Sequence, residues 1–311
     1  SRWGAAARWV LLVVMLVSAT LACTPPSINP DGSVPQGPPL ASNGLIVDGT
    51  EVWVADLYGQ QLLRFDPDTG RITRRLGGAQ GVVWPDDGVR LSDGSLVFTS
   101  PFGRLVGRVW PDGSSSVVAN LDFGPNPIVR DPADPDGAVI VGDGASERGQ
   151  LVRVYLDGRS PQVIASGLPP LNAFDVGPDG WIWAPAGGVL SALGATGGVL
   201  RIDPITGVTS SLTLSFPDEP ALSGFAFPCS AKFGPDGRLY VLQGVNAAVF
   251  VVDPGAGATR RLVDVPGGVA DNLAFLDGGR LLVSQFLGQV SEVLPGTPAS
   301  TRTIPLGSPT A

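Results

Sequence analysis

Eight residues of this 311-residue chain have the types and spacing to hold a metal ion: Asn43, Asp86, Asp87, Asn126, Asn172, Cys229, Asp271 and Asn272. Six of them, Asn43, Asp87, Asn126, Asn172, Cys229 and Asp271, each open a short apolar segment, at spacings of 44, 39, 46, 57 and 42 residues. Brought into a ring, they make three amides, two carboxylates and one thiol, with Asp86 and Asn272 beside them. Carboxylate and amide oxygens are the donors that Ca²⁺, Mg²⁺ and Mn²⁺ prefer, so a divalent cation is the expected cofactor, Ca²⁺ first. A plainer reading exists. Asn and Asp also cap strand starts, because their short side chains bond the incoming backbone. Ser, Thr and Gly serve nearly as well as caps, yet none stands at these six positions.

The chain has no histidine. That removes Ser-His-Asp and Cys-His nucleophile systems, His-ligated zinc and any histidine base. Any chemistry must run on carboxylates, amides, hydroxyls, a thiol or an oxygen-held metal. Cys229 has no such base to activate it, and a lone cysteine is more often a small buried apolar residue.

These positions need elements to hold them, and the sequence supplies the same unit six times. Asn172 to Val176 alternates, Pro178-Asp179-Gly180 turns, and Trp181-Ile182-Trp183 returns. That is the chemistry of a β-hairpin. The turn recurs as Asp48-Gly49, Asp93-Gly94, Asp136-Gly137, Asp179-Gly180, Asp236-Gly237 and Asp277-Gly278. A second turn follows a third strand in each unit, as in Asp66-Pro67, Asp203-Pro204 and Asp253-Pro254, and a fourth β-prone stretch comes next. Four strands in about 40–50 residues is one propeller blade. No helix follows each strand, as a parallel barrel needs. The expected fold is therefore an all-β, six-bladed propeller of four-stranded blades over residues 43–311, with exchange of end strands at closure left open.

In a propeller the first strand of each blade lines the central channel, so the six markers are expected at its mouth. Trp53, Phe98, Trp183 and Tyr240 fall on second strands and read as packing between blades. The long interval between Asn172 and Cys229 holds extra sequence, 186–198 and 216–228, expected on one face beside the binding surface.

The first 22 residues read as an export signal. Arg2 and Arg8 precede an uncharged apolar run, Trp9 to Val17, and small residues follow. The run is short for a membrane span of about 20 residues. Leu21-Ala22-Cys23 resembles a bacterial lipobox, although Thr20 stands where leucine is preferred, so Cys23 is the expected lipidation site. Residues 23–42, rich in Pro, Ser and Gly, read as a flexible tether. The expectation is an exported, membrane-anchored lipoprotein, periplasmic or on the cell surface, acting as a monomer. With a net charge of −8 and a pI near 4.5, nucleic acid is not an expected partner.

Three short motifs carry a family resemblance: Asn43-Gly44-Leu45 with Trp53-Val54-Ala55-Asp56, Asp86-Asp87-Gly88-Val89, and Asp271-Asn272-Leu273. Together they resemble the SMP-30/gluconolactonase-like superfamily of six-bladed propellers, which includes paraoxonases and strictosidine synthase-like proteins, and whose motifs NHL propellers share. The resemblance implies a channel cation on Asn, Asp and Glu side chains, polarising a lactone or ester carbonyl and making water acidic. It implies Asn126, Asn172, Asp271 and Asn272 as metal ligands. Asn43 stands where the family has glutamate, Cys229 where Asn or Asp is expected, and the paraoxonase histidine pair is missing.

Two functions fit these residues. One is a cation-dependent hydrolase of lactones or small esters, with Asp87 as the catalytic base. The other is a non-catalytic surface propeller that binds a small ligand, glycan or protein, its ring being structural.

Overall fold

The computed structural model describes residues 34–144, 149–188, 191, 194 and 196–307. The expected export signal over 1–22 and the expected lipidation site, Cys23, lie outside the described residues. Six four-stranded antiparallel sheets follow one another along the chain. Blade 1 holds β1 (Ser42–Asp48), β2 (Glu51–Asp56), β3 (Gln61–Phe65) and β4 (Ile72–Leu76). Blade 2 holds β5 (Gly88–Arg90), β6 (Leu96–Ser100), β7 (Leu105–Val109) and β8 (Ser115–Asn120). Blade 3 holds β9 (Pro125–Arg130), β10 (Ala138–Asp143), β11 (Gly149–Tyr155) and β12 (Gln162–Leu168). Blade 4 holds β13 (Asp175–Val176), β14 (Ile182–Ala186), β15 (Gly198–Ile202) and β16 (Thr209–Ser211). Blade 5 holds β17 (Pro228–Phe233), β18 (Leu239–Gln243), β19 (Ala248–Val252) and β20 (Thr259–Asp264). Blade 6 holds β21 (Ala270–Phe275), β22 (Leu281–Gln285), β23 (Gln289–Leu294) and β24 (Ser300–Ile304).

The Asp-Gly turns close the hairpins for a local reason. Gly49, Gly94, Gly180, Gly237 and Gly278 all take left-handed backbone, φ between +64° and +84°, which costs glycine nothing. The preceding aspartates accept a bond from the N–H two residues on: Asp93 from Ser95, Asp179 from Trp181 and Asp236 from Arg238. Gly137 differs. It lacks positive φ and packs on the Asp134 carboxylate, which a Cβ there would approach to 2.3 Å.

Apolar side chains alternate inward on both faces of every blade and fill the six interfaces between blades. Leu63 and Phe65 of blade 1 pack on Leu282 and Ile304 of blade 6, which closes the ring. Trp53, Phe98 and Trp183 are buried in these interfaces, and Tyr240 stacks edge-on against Phe275 at 4.9 Å. Among the described residues no strand is exchanged at closure, since each blade is a contiguous piece of chain. Side chains do that work instead. Glu292 accepts from Arg280 and Arg302, Arg280 reaches Asp68 at 2.8 Å, and Arg302 donates to the Pro67 carbonyl.

The inner strands β1, β5 and β9, and β13, β17, β21 and β1, neighbour one another around the ring and so line the axis. The segment before β1 does not hang free. Arg75 donates to the Pro35 and Gly37 carbonyls, and Asp56 accepts from the Leu40 and Ala41 N–H groups at 2.9 Å. Chain that composition assigns to a tether is thus docked on blade 1 from Pro35 onward. Among the described residues no helix is long and apolar enough to cross a membrane.

Candidate functional site at the channel mouth

The first strands of blades 1, 3, 5 and 6 carry a register irregularity near their starts, between Ser42 and Leu45, between Pro125 and Ile128, between Pro228 and Ser230, and between Ala270 and Leu273. Such bulges re-aim side chains. In blade 6 this lets the neighbours Asp271 and Asn272 both join the mouth cluster. In blade 1 it lets Gly44 press against blade 2, its N–H bonding the Asp86 carbonyl at 2.7 Å. A Cβ on Gly44 would lie 2.6 Å from the Asp87 Cα, so only glycine permits this approach.

One connected cluster results. Asn43 Nδ2 donates to Asp86 Oδ1 at 2.8 Å, and Asn272 Nδ2 donates to Asp87 Oδ1 at 3.3 Å. Ser230 Oγ donates to Asn272 Oδ1 at 2.9 Å. The Asp87 N–H is held by Thr99 Oγ1, whose hydroxyl donates to the Asn126 carbonyl at 2.7 Å. Asn43, Asp86, Asp87, Asp271 and Asn272 are all buried, none more than 8% exposed.

Two buried oxygens of this cluster accept from nothing: Asn43 Oδ1 and Asp87 Oδ2. A buried oxygen without a donor costs about 1–3 kcal/mol, so the arrangement calls for a positive or hydrogen-donating guest. Among the described residues no three carboxylate or thiol side chains form a metal cage by themselves. The donor set here is mixed, carboxylates with amides, and its oxygens suit a hard cation.

The acids feel one another and the loss of water. Burial raises Asp86 to about 7, with the Asp87 charge adding and the Asn43 bond opposing. Burial raises Asp87 to about 6, opposed first by the Lys232 charge and also by the bonds from the Gly88 N–H and from Asn272. Asp271 is pushed well above the usual carboxylate range by burial, then by Asp86 and Asp87. In the free protein Asp86 and Asp271 resist ionisation near neutral pH more than Asp87 does. A bound cation would lower that resistance.

The other expected ring members lie apart. Asn126 and Asn172 are half-buried on blades 3 and 4. Asn172 Oδ1 accepts from its own neighbour, the Ala173 N–H, at 2.8 Å, which is the strand-capping bond. Asn272 Oδ1 likewise accepts from the Leu273 N–H at 2.8 Å. Cys229 does not belong to the ring. The register shift after Pro228 turns its thiol outward, where Sγ meets the Ala270 and Leu242 carbonyls between blades 5 and 6. Burial and the Asp271 charge push that thiol well up, away from the thiolate. Ser230 takes its place at the channel.

Lys232 is the residue that composition alone does not flag. It lies two positions after Ser230 on β17, hence on the same face. Its Nζ donates to the Phe174 carbonyl of blade 4 at 2.7 Å. Strand alternation along Ser230-Ala231-Lys232 was the available signal.

Above the cluster, the two insertions of blade 4 are zipped together. Gly197 and Phe225 exchange backbone bonds at 2.9 and 2.7 Å, and the Phe227 N–H donates to Ser191 Oγ. The described parts of both insertions leave the blades on the side where the inner strands begin, and residues 189–190, 192–193 and 195 lie outside the described residues.

No family model matches the chain, and no curated protein is similar to it by sequence. Solved structures are. The gluconolactonase of Xanthomonas campestris superposes with a TM-score of 0.61 at 18% identity, over 81% of this chain and 85% of that one. A calcium-binding protein, regucalcin, from Agrobacterium tumefaciens gives 0.60 at 18% identity, over 81% and 84%. What is shared is the six-bladed propeller architecture. Virginiamycin B lyase from Staphylococcus aureus shares it too, with a TM-score of 0.59 at 17% identity over 86% and 84%. Identities this low carry the architecture and leave the chemistry to the residues.

Proposed function

We propose that this chain is an exported, lipid-anchored propeller that binds a divalent cation at the channel mouth and hydrolyses lactones or small esters with it. Ca²⁺ is the first candidate. The observation that carries the reading is the pair of buried, donorless oxygens, Asn43 Oδ1 and Asp87 Oδ2, set beside Asp86 and Asp271. Calcium binding by regucalcin, which shares the fold, supports it. The donors centre on Asn43, Asp86 and Asp271, with Asp87 left as the base. When bound, such an ion supplies Lewis acidity toward a carbonyl oxygen and toward water.

The chain's own residues do the rest. Asp87 is the base, oriented by Asn272 and by the Gly88 N–H at 2.9 Å, and takes the proton of the attacking water. Ser230 fixes Asn272, and Thr99 fixes the Asp87 backbone. The zipped insertions of blade 4 wall one side of the mouth, where they would select substrate size and keep bulk water out. The membrane is reached through lipid on Cys23, the protein acts as a monomer, and its substrate is small.

A second reading has its own observation. The Asn172 and Asn272 oxygens are already taken by main-chain N–H groups, as strand caps would be. On that reading the ring is structural and the mouth binds a ligand, glycan or protein.

Thermal unfolding of the full chain in detergent, stripped with EDTA and then supplied with single ions, separates the two. At a hundred times its dissociation constant an ion stabilises by about 2.7 kcal/mol. The hydrolase reading expects a clear rise with Ca²⁺ or another dication, lost in Asp271→Ala, followed by turnover in a lactone and ester panel. No response to any ion, or a response that Asp271→Ala retains, overturns the channel site.

A further inference from the structure

The chain is acidic, yet half of its mouth face carries almost no charge. The first strand of each blade starts on that face, so the loops between second and third strands and the links between blades lie there too. In blades 6, 1 and 2 these stretches are 34–41, 57–60, 77–85, 101–104, 265–269 and 286–288, and Arg104 is their only charged residue. The rest of the same face carries Asp122, Asp218 and Glu219. On the opposite face every hairpin turn except 295–299 has an aspartate in or beside it, as at Asp66, Asp112, Asp157 and Asp253.

The uncharged half is also apolar. Leu40, Phe102 and Leu287 are 55%, 38% and 69% exposed there. Phe102 meets Trp84 edge-on at 5.4 Å, and Tyr58 of blade 1 meets Phe286 of blade 6 at 6.2 Å. Trp84 packs in turn on Ala41 and Leu57, so these loops form one arc across three neighbouring blades. The other exposed large apolar side chains among the described residues, Val117, Val163, Ile205 and Val208, lie on outer strands or on the far turn of blade 4.

We propose that this arc rests on a lipid bilayer and sets the channel mouth at the lipid–water boundary. The inference rests on the reading of Cys23 as lipidated. The chain enters the propeller through this same face, with residues 35–41 bonded to Asp56 and Arg75 of blade 1. Ten residues separate Cys23 from Val34, and that length of extended chain reaches about 40 Å at most. A lipid on Cys23 therefore keeps the arc close to the surface that holds the lipid. The chemistry of the arc matches that surface. Exposed leucine and phenylalanine gain by leaving water, and a tyrosine ring suits the depth of the headgroups. Arg104 can donate to a phosphate oxygen. Anionic headgroups repel the acidic turns of the opposite face and so leave that face to water.

The test uses the full chain isolated from bacterial membranes and placed in phosphatidylcholine vesicles that contain brominated lipid. Leu287→Cys, Phe102→Cys and, on the opposite face, Ser160→Cys each carry an environment-sensitive fluorophore; Cys229 is buried and does not compete for it. The labels in place of Leu287 and Phe102 are expected to shift to the blue and to be quenched several-fold more than the label in place of Ser160. Leu40→Cys is the substitute should Phe102→Cys, which loses the Trp84 contact, fail to fold. Equal quenching on the two faces, or none on either, overturns the docking, while lipid found on Cys23 by mass spectrometry leaves the anchor standing. A blue shift without quenching means that protein covers the arc, a second copy or residues 1–33, and overturns it as well. A chain without lipid on Cys23 that stays off the vesicles overturns the anchor and the docking together.

Discussion

At the residue scale, the acids of the mouth make stability depend on pH in a direction opposite to that of most carboxylates. Asp86 and Asp87 hold protons more tightly folded, at about 7 and about 6, than unfolded, at 3.8. Between these values the native state binds more protons, so stability falls as pH rises. Metal-free protein is expected to lose on the order of a few kcal/mol between about pH 4 and pH 7. Above the higher folded value this contribution flattens. Melts across that range, with EDTA, check the slope; a saturating dication should remove most of it, because it favours the charged forms. A metal-free melting temperature that rises from pH 4 to 7 would count against a buried acid cluster.

At the element scale, the site depends on two inner strands meeting closely. Gly44 of β1 lies against Asp86 and Asp87, just before β5, with no room for a methyl group. Gly44→Ala must push the blades apart or break the 2.7 Å bond to the Asp86 carbonyl. A loss of about 2–3 kcal/mol is expected in urea unfolding, together with weaker cation binding. Gly158→Ala is the contrasting case. Gly158 has positive φ, +86°, yet nothing lies near its Cβ position. Its cost is backbone strain alone, about 1 kcal/mol, with cation binding unchanged. Equal effects of the two substitutions on cation binding would show that blade 1 does not position the acids.

At the scale of the whole molecule, ring closure relies on packing and ion pairs rather than on a shared sheet. The Glu292 side chain, 5% exposed, receives both Arg280 and Arg302, and these arginines reach back to the turn after β3 at Pro67 and Asp68. Glu292→Gln leaves both arginines short of a charge. It is expected to cost about 1–3 kcal/mol and to raise hydrogen exchange first in blades 1 and 6. Uniform exchange across all six blades would place the weak seam elsewhere. Other seams use arginine in the same way. Arg74 donates to the Pro111 carbonyl, Arg153 to the Pro204 carbonyl, and Arg90 pairs with Asp48. An arginine-dominated basic complement thus has a structural use, since a planar fork can bridge two blades at once.

The repeat, the strands and their turns were legible in the sequence because each depends on neighbours only a few residues apart. Alternation at period two and Asp-Gly at each hairpin suffice to specify a four-stranded blade, and six copies specify the ring. The mouth acids were legible for the same reason, as residues opening each unit. Which side chains actually meet there was decided by the tertiary structure. A one-residue bulge in β17 exchanges Cys229 for Ser230 at the channel, and such a slip leaves no mark in composition or spacing. Lys232 gains its meaning only when blade 5 is laid against blades 4 and 2, and the docking of Pro35 to Ala41 only when Arg75 and Asp56 come within reach. Local periodicity fixes the elements, whereas the hydrogen-bonded network of the channel joins residues up to 185 positions apart, such as Asn272 and Asp87.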